Sequence, residues 1–312
     1  MRSVWKSCRA CGRKISLKDT LTKAVAGDFR IYAACTTGLV NEAIRRHGCH
    51  PVAAAALGRT MTGALLLAAN LKNEEALTLK FAGDGPLGLV VADASPEGFV
   101  RGYVEHPRVD LPLNAKGKID VGGGIGAGIV SVTRFTGLKE PVAGSAAILT
   151  GEIAEDLTKY LYDSEQTPSS IALGVLVAPD LTALAAGGFF VQPLPGASEE
   201  AIAHVEENLA ALPAVSDMVH GGMTTQQMIE RIMAGCGKVE FLAETDLAFR
   251  CQCSKERVEG MLLSLGRDDL ASLVEDGKAE VCCHFCGEAY QFTGEELQEL
   301  LAHKDSAAKK EG

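Results

Sequence analysis

The sequence has no excess of positive charge. Thirty Lys and Arg against 40 Asp and Glu leave a formal net charge of −10, which disfavours the nucleic-acid backbone as main partner, because phosphates are held by Lys and Arg. It also has no long uninterrupted apolar run. The most apolar stretch, "HPVAAAALGRTMTGALLLAANLK", is broken by Arg59 and leaves 12 uncharged residues before Lys72, short of the roughly 20 that a membrane span requires, and it reads as a buried helix. The N-terminal "MRSVWKSCRACGRKISLK" is basic without the apolar segment of a secretory signal. No H-E-x-x-H, Walker or G-x-S-x-G motif occurs, so the commoner hydrolase and nucleotide sites have no carrier, and the chain is not expected to be an enzyme. Aromatic residues are sparse, with one Trp and 5 Tyr.

Cysteine, by contrast, is plentiful. Ten occur in 312 residues, and five of them fall within "FRCQCSKERV" and "EVCCHFCGEAYQF". At this length, with 47% hydrophobic residues, the chain can bury a core without a disulfide framework. A reducing cytoplasm is therefore the expected compartment, and clustered cysteines there serve metals or catalysis more often than structural bridges.

Residues 17–70 read as helical, in "KDTLTKAVA", "GLVNEAIRRHG" and the Ala/Leu-rich stretch. After Asn70 the period shortens to two. "ALTLKF", "LGLVVA" and "FVRGYV", separated by "GDGP" and "DASPEG", make an antiparallel meander, and strand-like runs resume at "IVSVTRF", "IALGVLV" and "LTALAAGGFFVQPL". A helix over about 152–165 places Ile153, Leu157, Tyr160 and Leu161 on one face. The fold class is α+β: a mixed N-terminal core with antiparallel sheets, a helical linker and a small C-terminal metal-binding domain. "DVGGGIGAG" matches G-x-G-x-x-A at Gly122, Gly124 and Ala127, but a strand-like run follows where a dinucleotide fold requires a helix, so a glycine-rich turn is the better reading.

Residues 198–250 carry nine acidic and three basic side chains. Ile202, Val205, Leu209 and Leu212 form one apolar stripe, and Thr224 with Gln227 forms a capping box. Met218, Met223, Met228 and Met233 lie here, read as gap-filling core residues or as an adaptable surface for varied partners. Beyond 250, Ser254 caps a helix with Val258, Met261, Leu262 and Leu265 inward. "DDLASLVEDG" forms a second helix, a hairpin carries a C-x-x-C turn, and Thr293 with Glu296 caps "ELQELL".

Cys251 and Cys253 form a C-x-C pair; Cys283 and Cys286 form a C-x-x-C pair. Two close pairs, one leading into a helix and one at a hairpin turn, suit tetrahedral Zn²⁺. Cys282 should point to the opposite face of its strand, and His284 is a weaker rival ligand. A unit of about 50 residues buries too little to be stable without a staple. Zinc binding to small peptides is worth ~10–16 kcal/mol and is in effect their folding energy, while thiolates are what oxidants attack. Together these make a redox switch with a structural output.

These motifs resemble the heat-shock protein 33 family of redox-regulated chaperones. The resemblance rests on C-Q-C at 251–253, C-H-F-C at 283–286, "GEAYQF", "YAACTTGLVNEA" and the run from "KIDVGGGIGAG" to "SSIALGV", and it covers about 17–302. It implies that the reduced chain holds Zn²⁺ on Cys251, Cys253, Cys283 and Cys286 and is inactive. It further implies that oxidants convert the pairs to Cys251–Cys253 and Cys283–Cys286 disulfides and zinc leaves. The C-terminal domain and linker then unfold, and the protein, often a homodimer, holds unfolding client proteins without ATP. The implied division is a core at 17–197, a linker at 198–250, a zinc domain at 251–301 and a disordered tail at 302–312.

Residues 1–16, with Cys8 and Cys11, fall outside the resemblance; half a zinc knuckle, an early-assigned start and a flexible extension all fit them. Cys35, Cys49, Cys236 and Cys282 are expected to be buried or inert thiols, with off-pattern disulfides under oxidation as the alternative for Cys236, which lies between Gly235 and Gly237. Two rivals remain. A zinc-ribbon nucleic-acid module is disfavoured by five basic against eleven acidic residues over 250–301. A thiol–disulfide oxidoreductase would place C-x-x-C at a helix N-terminus rather than in a hairpin turn.

Overall fold

The computed structural model describes residues 18–308 apart from 73, 138 and 139; Cys8 and Cys11 lie outside that range. The chain opens with a hairpin, Thr20–Ala26 (β1) and Phe29–Cys35 (β2), turning at Gly27 with φ +52°. This corrects the helical expectation for "KDTLTKAVA". β1 is buried on both faces, so its apolar residues do not alternate with polar ones, and a run so short has no period to separate strand from buried helix. The β-branched Thr20, Thr22 and Val25 favour the strand.

Helices Thr37–His47 (α1) and Pro51–Ala68 (α2) follow. Proline at the first turn of α2 suits a position whose N–H has no helical partner. α2 is long and apolar enough to match a span, but 89% of it is buried inside the protein. It lies between two sheets, touching both, and so forms the axis of the main hydrophobic cluster with Phe81, Leu79, Val130 and Tyr160.

One sheet contains Ala76–Gly83 (β3), Leu89–Ala94 (β4) and Phe99–Val104 (β5), as the two-residue period predicts. After the short helix Val121–Ile125 (α3) it adds Gly128–Phe135 (β6) and Val142–Ala147 (β7). The glycine run is structural. A Cβ on Gly83 would stand 1.9 Å from the Ile125 carbonyl oxygen, and one on Gly128 would stand 2.0 Å from that of Ala82, so only glycine lets these backbones meet.

Helix Ala154–Asp163 (α4) is fixed by one buried carboxylate. Asp156 accepts from the backbone N–H groups of Leu149 (2.6 Å), Thr150 (3.0 Å) and Ile153 (3.2 Å). Asp156→Ala strands all three donors, at ~1–3 kcal/mol for each that stays dry. The expected loss is on the order of 3 kcal/mol, read as a lower urea midpoint at unchanged m-value.

Strands Ser170–Val177 (β8) and Ala183–Pro193 (β9) belong to the other sheet. Helices Glu199–Ala210 (α5), Val215–His220 (α6) and Thr225–Ile232 (α7) occupy the segment expected to be helical. They cover the outer face of that sheet and close a second hydrophobic cluster, in which Met218, Met228, Ile229, Ile232 and Met233 meet Phe29, Ile31, Phe189 and Val191. The three buried methionines are core residues here. The Thr224–Gln227 capping box is present.

The segment does not stay helical. Val239–Asp246 (β10) pairs with β1, and Ala248–Phe249 (β11) pairs with β5. The sheet orders are therefore β10-β1-β2-β9-β8 and β11-β5-β4-β3-β6-β7. The last unit comprises Lys255–Ser264 (α8), Arg267–Glu275 (α9), the hairpin Lys278–Cys282 (β12) and Ala289–Thr293 (β13), and Gly294–Ala308 (α10). Its own cluster is small: Val258, Leu262, Leu270, Phe292 and Leu297. Met261 is 47% exposed instead of facing inward, and α10 continues through Ala308, past the point at which a tail was expected.

Candidate metal centre

β11 delivers the first cysteine pair. Its parallel pairing with β5 ends with the Arg250 N–H donating to the Val100 carbonyl at 2.8 Å, and Cys251 is the next residue. After Cys253, the Ser254 hydroxyl caps α8 by accepting from the Arg257 N–H. The second pair sits in the β12–β13 turn. There the Cys283 N–H donates to the Glu288 carbonyl at 2.9 Å and the Gly287 N–H to the Cys283 carbonyl at 2.8 Å. Gly287 has φ +71°, a turn conformation that glycine adopts without strain.

The four sulfurs of Cys251, Cys253, Cys283 and Cys286 lie within 4.8 Å of one another. Cys251 Sγ is 3.7 Å from Cys283 Sγ, and Cys253 Sγ is 3.3 Å from Cys286 Sγ. Zn–S bonds of about 2.3 Å in a tetrahedron imply sulfur–sulfur edges of about 3.8 Å. The spacing and the all-sulfur donor set therefore suit Zn²⁺, which soft thiolates select. A disulfide needs about 2.05 Å, so this is a thiol arrangement, and all eight described cysteines are free.

The neighbouring candidates fall outside the cluster. Cys282 is exposed, with Sγ 3.9 Å from Glu280 Oε1, as strand alternation predicts. His284 instead meets Tyr103 edge-on at 6.0 Å between ring centroids. Cys35 and Cys49 are buried, and burial pushes each thiol up to about 12, which leaves them unreactive. Cys236 is half-buried, its thiol also raised by burial, with Sγ 3.9 Å from the Ala234 carbonyl oxygen.

Two donors to the sulfurs are not evident from the cysteine spacing. The Tyr290 hydroxyl lies 3.2 Å from Cys253 Sγ, and Arg101 Nη1 lies 3.7 Å from Cys251 Sγ. Burial works against a charge on Cys251, but the Cys253 N–H, the adjoining thiols and the Arg101 guanidinium outweigh it and bring that thiol down to about 7. Tyr290 is marked only by its place beside the knuckle. Arg101 is 150 residues from Cys251 in the chain and carries no signal at all.

Arg101 also ties the knuckle to the core. It is ion-paired to Asp93 at 2.8 Å and stands 4.1 Å over the Phe285 ring, while Tyr103 meets that ring edge-on at 5.3 Å. The Arg46 guanidinium donates to the Cys286 carbonyl at 3.3 Å. His47 Nε2 faces the carbonyls of Gly102 and Phe285 at 2.9 and 3.2 Å. A cation–π contact of this kind is worth about 0.5–2 kcal/mol. Arg101→Ala should therefore raise amide hydrogen exchange over 283–287 about tenfold in the thiol form, and loss of its donor to Cys251 should lower metal affinity about 10–100-fold.

The family model described as Hsp33 protein matches residues 19–293. The 33 kDa chaperonin of Desulforamulus reducens is 47% identical over 288 residues, covering 91% of this chain and 98% of that protein. That of Bacillus subtilis is also 47% identical, over 286 residues, covering 90% and 98%. The crystal structure of the 33 kDa chaperonin (heat shock protein 33 homolog) from Thermotoga maritima matches with a TM-score of 0.87 at 37% identity, covering 93% of this chain and all of that one. With a family match over nearly its whole length, relatives this similar and a shared fold, the chain belongs to the Hsp33 family of chaperones.

Proposed function

We propose that this chain is a redox-switched holding chaperone of the cytoplasm, with Cys251, Cys253, Cys283 and Cys286 as its sensor. The observation that carries the reading is the convergence of these four sulfurs within 4.8 Å at the junction of core and C-terminal unit. In the reduced protein the four thiolates would hold one Zn²⁺, which when bound supplies the cross-link that the small cluster of Val258, Leu262, Leu270, Phe292 and Leu297 cannot replace.

Peroxide is the oxidant class considered. At each pair, Cys251 with Cys253 and Cys283 with Cys286, two thiolates lose two electrons and form one S–S bond. The peroxide O–O bond breaks, and its two oxygens take up those electrons with two protons from solvent and leave as two waters. Sulfurs bound in disulfides are poor ligands, so the unit from α8 to α10 loses its staple. Its loss frees β11, and with β11 the run back through β10 to α7. What α5–α7 cover is apolar: Phe29, Ile31, Phe189 and Val191. Exposed, this face would bind unfolding polypeptides by burying their apolar surface, without nucleotide and with the oxidised chain as a homodimer.

The reading is tested by metal and thiol titration before and after peroxide. One zinc per chain in the reduced protein, released with the loss of four thiols, is expected. Retention of zinc after those four thiols are lost would refute it.

A further inference from the structure

We infer that the edge of β1 is a strand-addition site, and that an extended segment of a client takes the place of β10 there. The inference rests on the reading above, in which oxidation frees the run from α7 to β11. β1 lies second from the end of its sheet, and among the described residues β10 alone covers its outer edge. The two strands differ in how they are held. Most of β1 is buried, whereas five successive residues of β10, Glu240 to Glu244, are exposed, with Phe241 39% and Leu242 58% open to solvent.

β10 is therefore held chiefly by backbone pairing, from Thr20 opposite Asp246 to Ala26 opposite Val239. That pairing is interrupted. Lys23 faces Ala243 and Ala24 faces Phe241, which leaves Leu242 as a bulge residue without a partner. The chain reaches β10 through Gly235 and Gly237, both at positive φ, and leaves it for Cys251 only five residues beyond Asp246. A thinly packed, bulged edge strand wired to the cysteine cluster is the element of this sheet most easily withdrawn.

Its withdrawal would uncover the outward N–H and C=O groups of alternate β1 residues, Leu21, Lys23 and Val25, in phase with the Asp19 carbonyl that accepts from the Leu247 N–H, a template for any extended chain. The floor beside that edge is apolar once α7 has gone: Ala24, Ala26, Phe29 and Ile31 belong to the cluster that α7 closes. The polar contacts of β10 show what else the edge accepts. Lys18 pairs with Asp246 at 2.6 Å, and the Thr22 hydroxyl lies 3.4 Å from a Glu244 carboxylate oxygen. The partner that fits is an extended segment of about seven residues with alternating apolar side chains and one or two carboxylates. Recognition is mainly through the backbone, so it tolerates many sequences, as a holder of varied unfolding proteins requires.

The probe is a fluorescent peptide copying residues 239–246, VEFLAETD, titrated into the full-length protein. In the reduced form the tethered β10 occupies the edge at an effective concentration that a free peptide cannot match. Affinity for the peroxide-treated protein should thus be at least ~10-fold higher than for the reduced protein. An unfolding client should displace the peptide, and a control peptide with proline at the positions of Ala243 and Thr245, which stand in the same hydrogen-bonding phase as the Leu247 N–H that donates to the Asp19 carbonyl, lacks two ladder donors and should not bind. If oxidised protein suppresses client aggregation but neither binds the peptide nor releases it to client, strand addition is overturned while the chaperone reading stands. If the peptide dissociates oxidised dimers without competing with client, the edge belongs to a second copy of the chain, and the inference likewise falls. If the peptide binds as expected but oxidised protein leaves aggregation unchecked, the edge is confirmed as a strand site and the chaperone reading is the part that fails.

Discussion

Cys283→Ser is expected to abolish stoichiometric zinc and to leave the C-terminal unit unfolded while the core stays folded. Losing an outer partner of a metal ligand already costs about 10–100-fold in affinity, and losing one of four ligands should cost more. The unit beyond Cys251 has no other large source of stability, since its own cluster rests on five buried apolar side chains and zinc sites of this kind supply ~10–16 kcal/mol. Limited proteolysis should then cut between 251 and 308 without prior oxidation, with the α2-centred core intact. Cys282→Ser is the internal control. Its thiol is exposed and turned towards Glu280, so zinc content and protease resistance should match the unsubstituted protein. Equal protease resistance in Cys283→Ser and the unsubstituted protein would mean that the four sulfurs do not staple the unit.

Met228→Lys is expected to uncouple client binding from oxidation. Met228 is fully buried in the cluster between α7 and the sheet, and Thr225 on the same helix reaches the core through a 2.6 Å hydroxyl–hydroxyl contact with Thr22. A lysine there must either lie unpaired in an apolar site or expel the helix. Changes of that class sit at the severe end of the mutational range, above about 4 kcal/mol. The main cluster around α2 is separate, so the helical layer should detach locally instead of the whole chain unfolding. The reduced, zinc-loaded variant should bind an apolar dye and hold clients without peroxide. A variant that binds dye but still needs oxidation would place the client surface somewhere other than beneath α5–α7.

The cluster itself was legible because C-x-C and C-x-x-C pairs carry their chemistry in their spacing, and the hairpin turn and the Ser254 cap have equally local signals. The strands from β3 to β6 were legible through their alternation. β1 was not, because a strand buried on both faces loses its two-residue period. β10 was missed for the opposite reason. Its exposed, acidic surface looks like linker, and its place in the sheet comes from backbone pairing with β1, which no side-chain pattern records. Arg101 lies furthest beyond reach, since only folding brings it against Cys251 and Phe285. The sensor could thus be read from local sequence, but its attachment to the core could not.

The most direct test is light scattering from a thermally unfolding client mixed with the protein, either reduced and zinc-loaded or treated with peroxide. Suppression of scattering by the oxidised sample alone is the predicted result. Equal suppression by both samples would contradict the switch and reduce the four cysteines to a structural site.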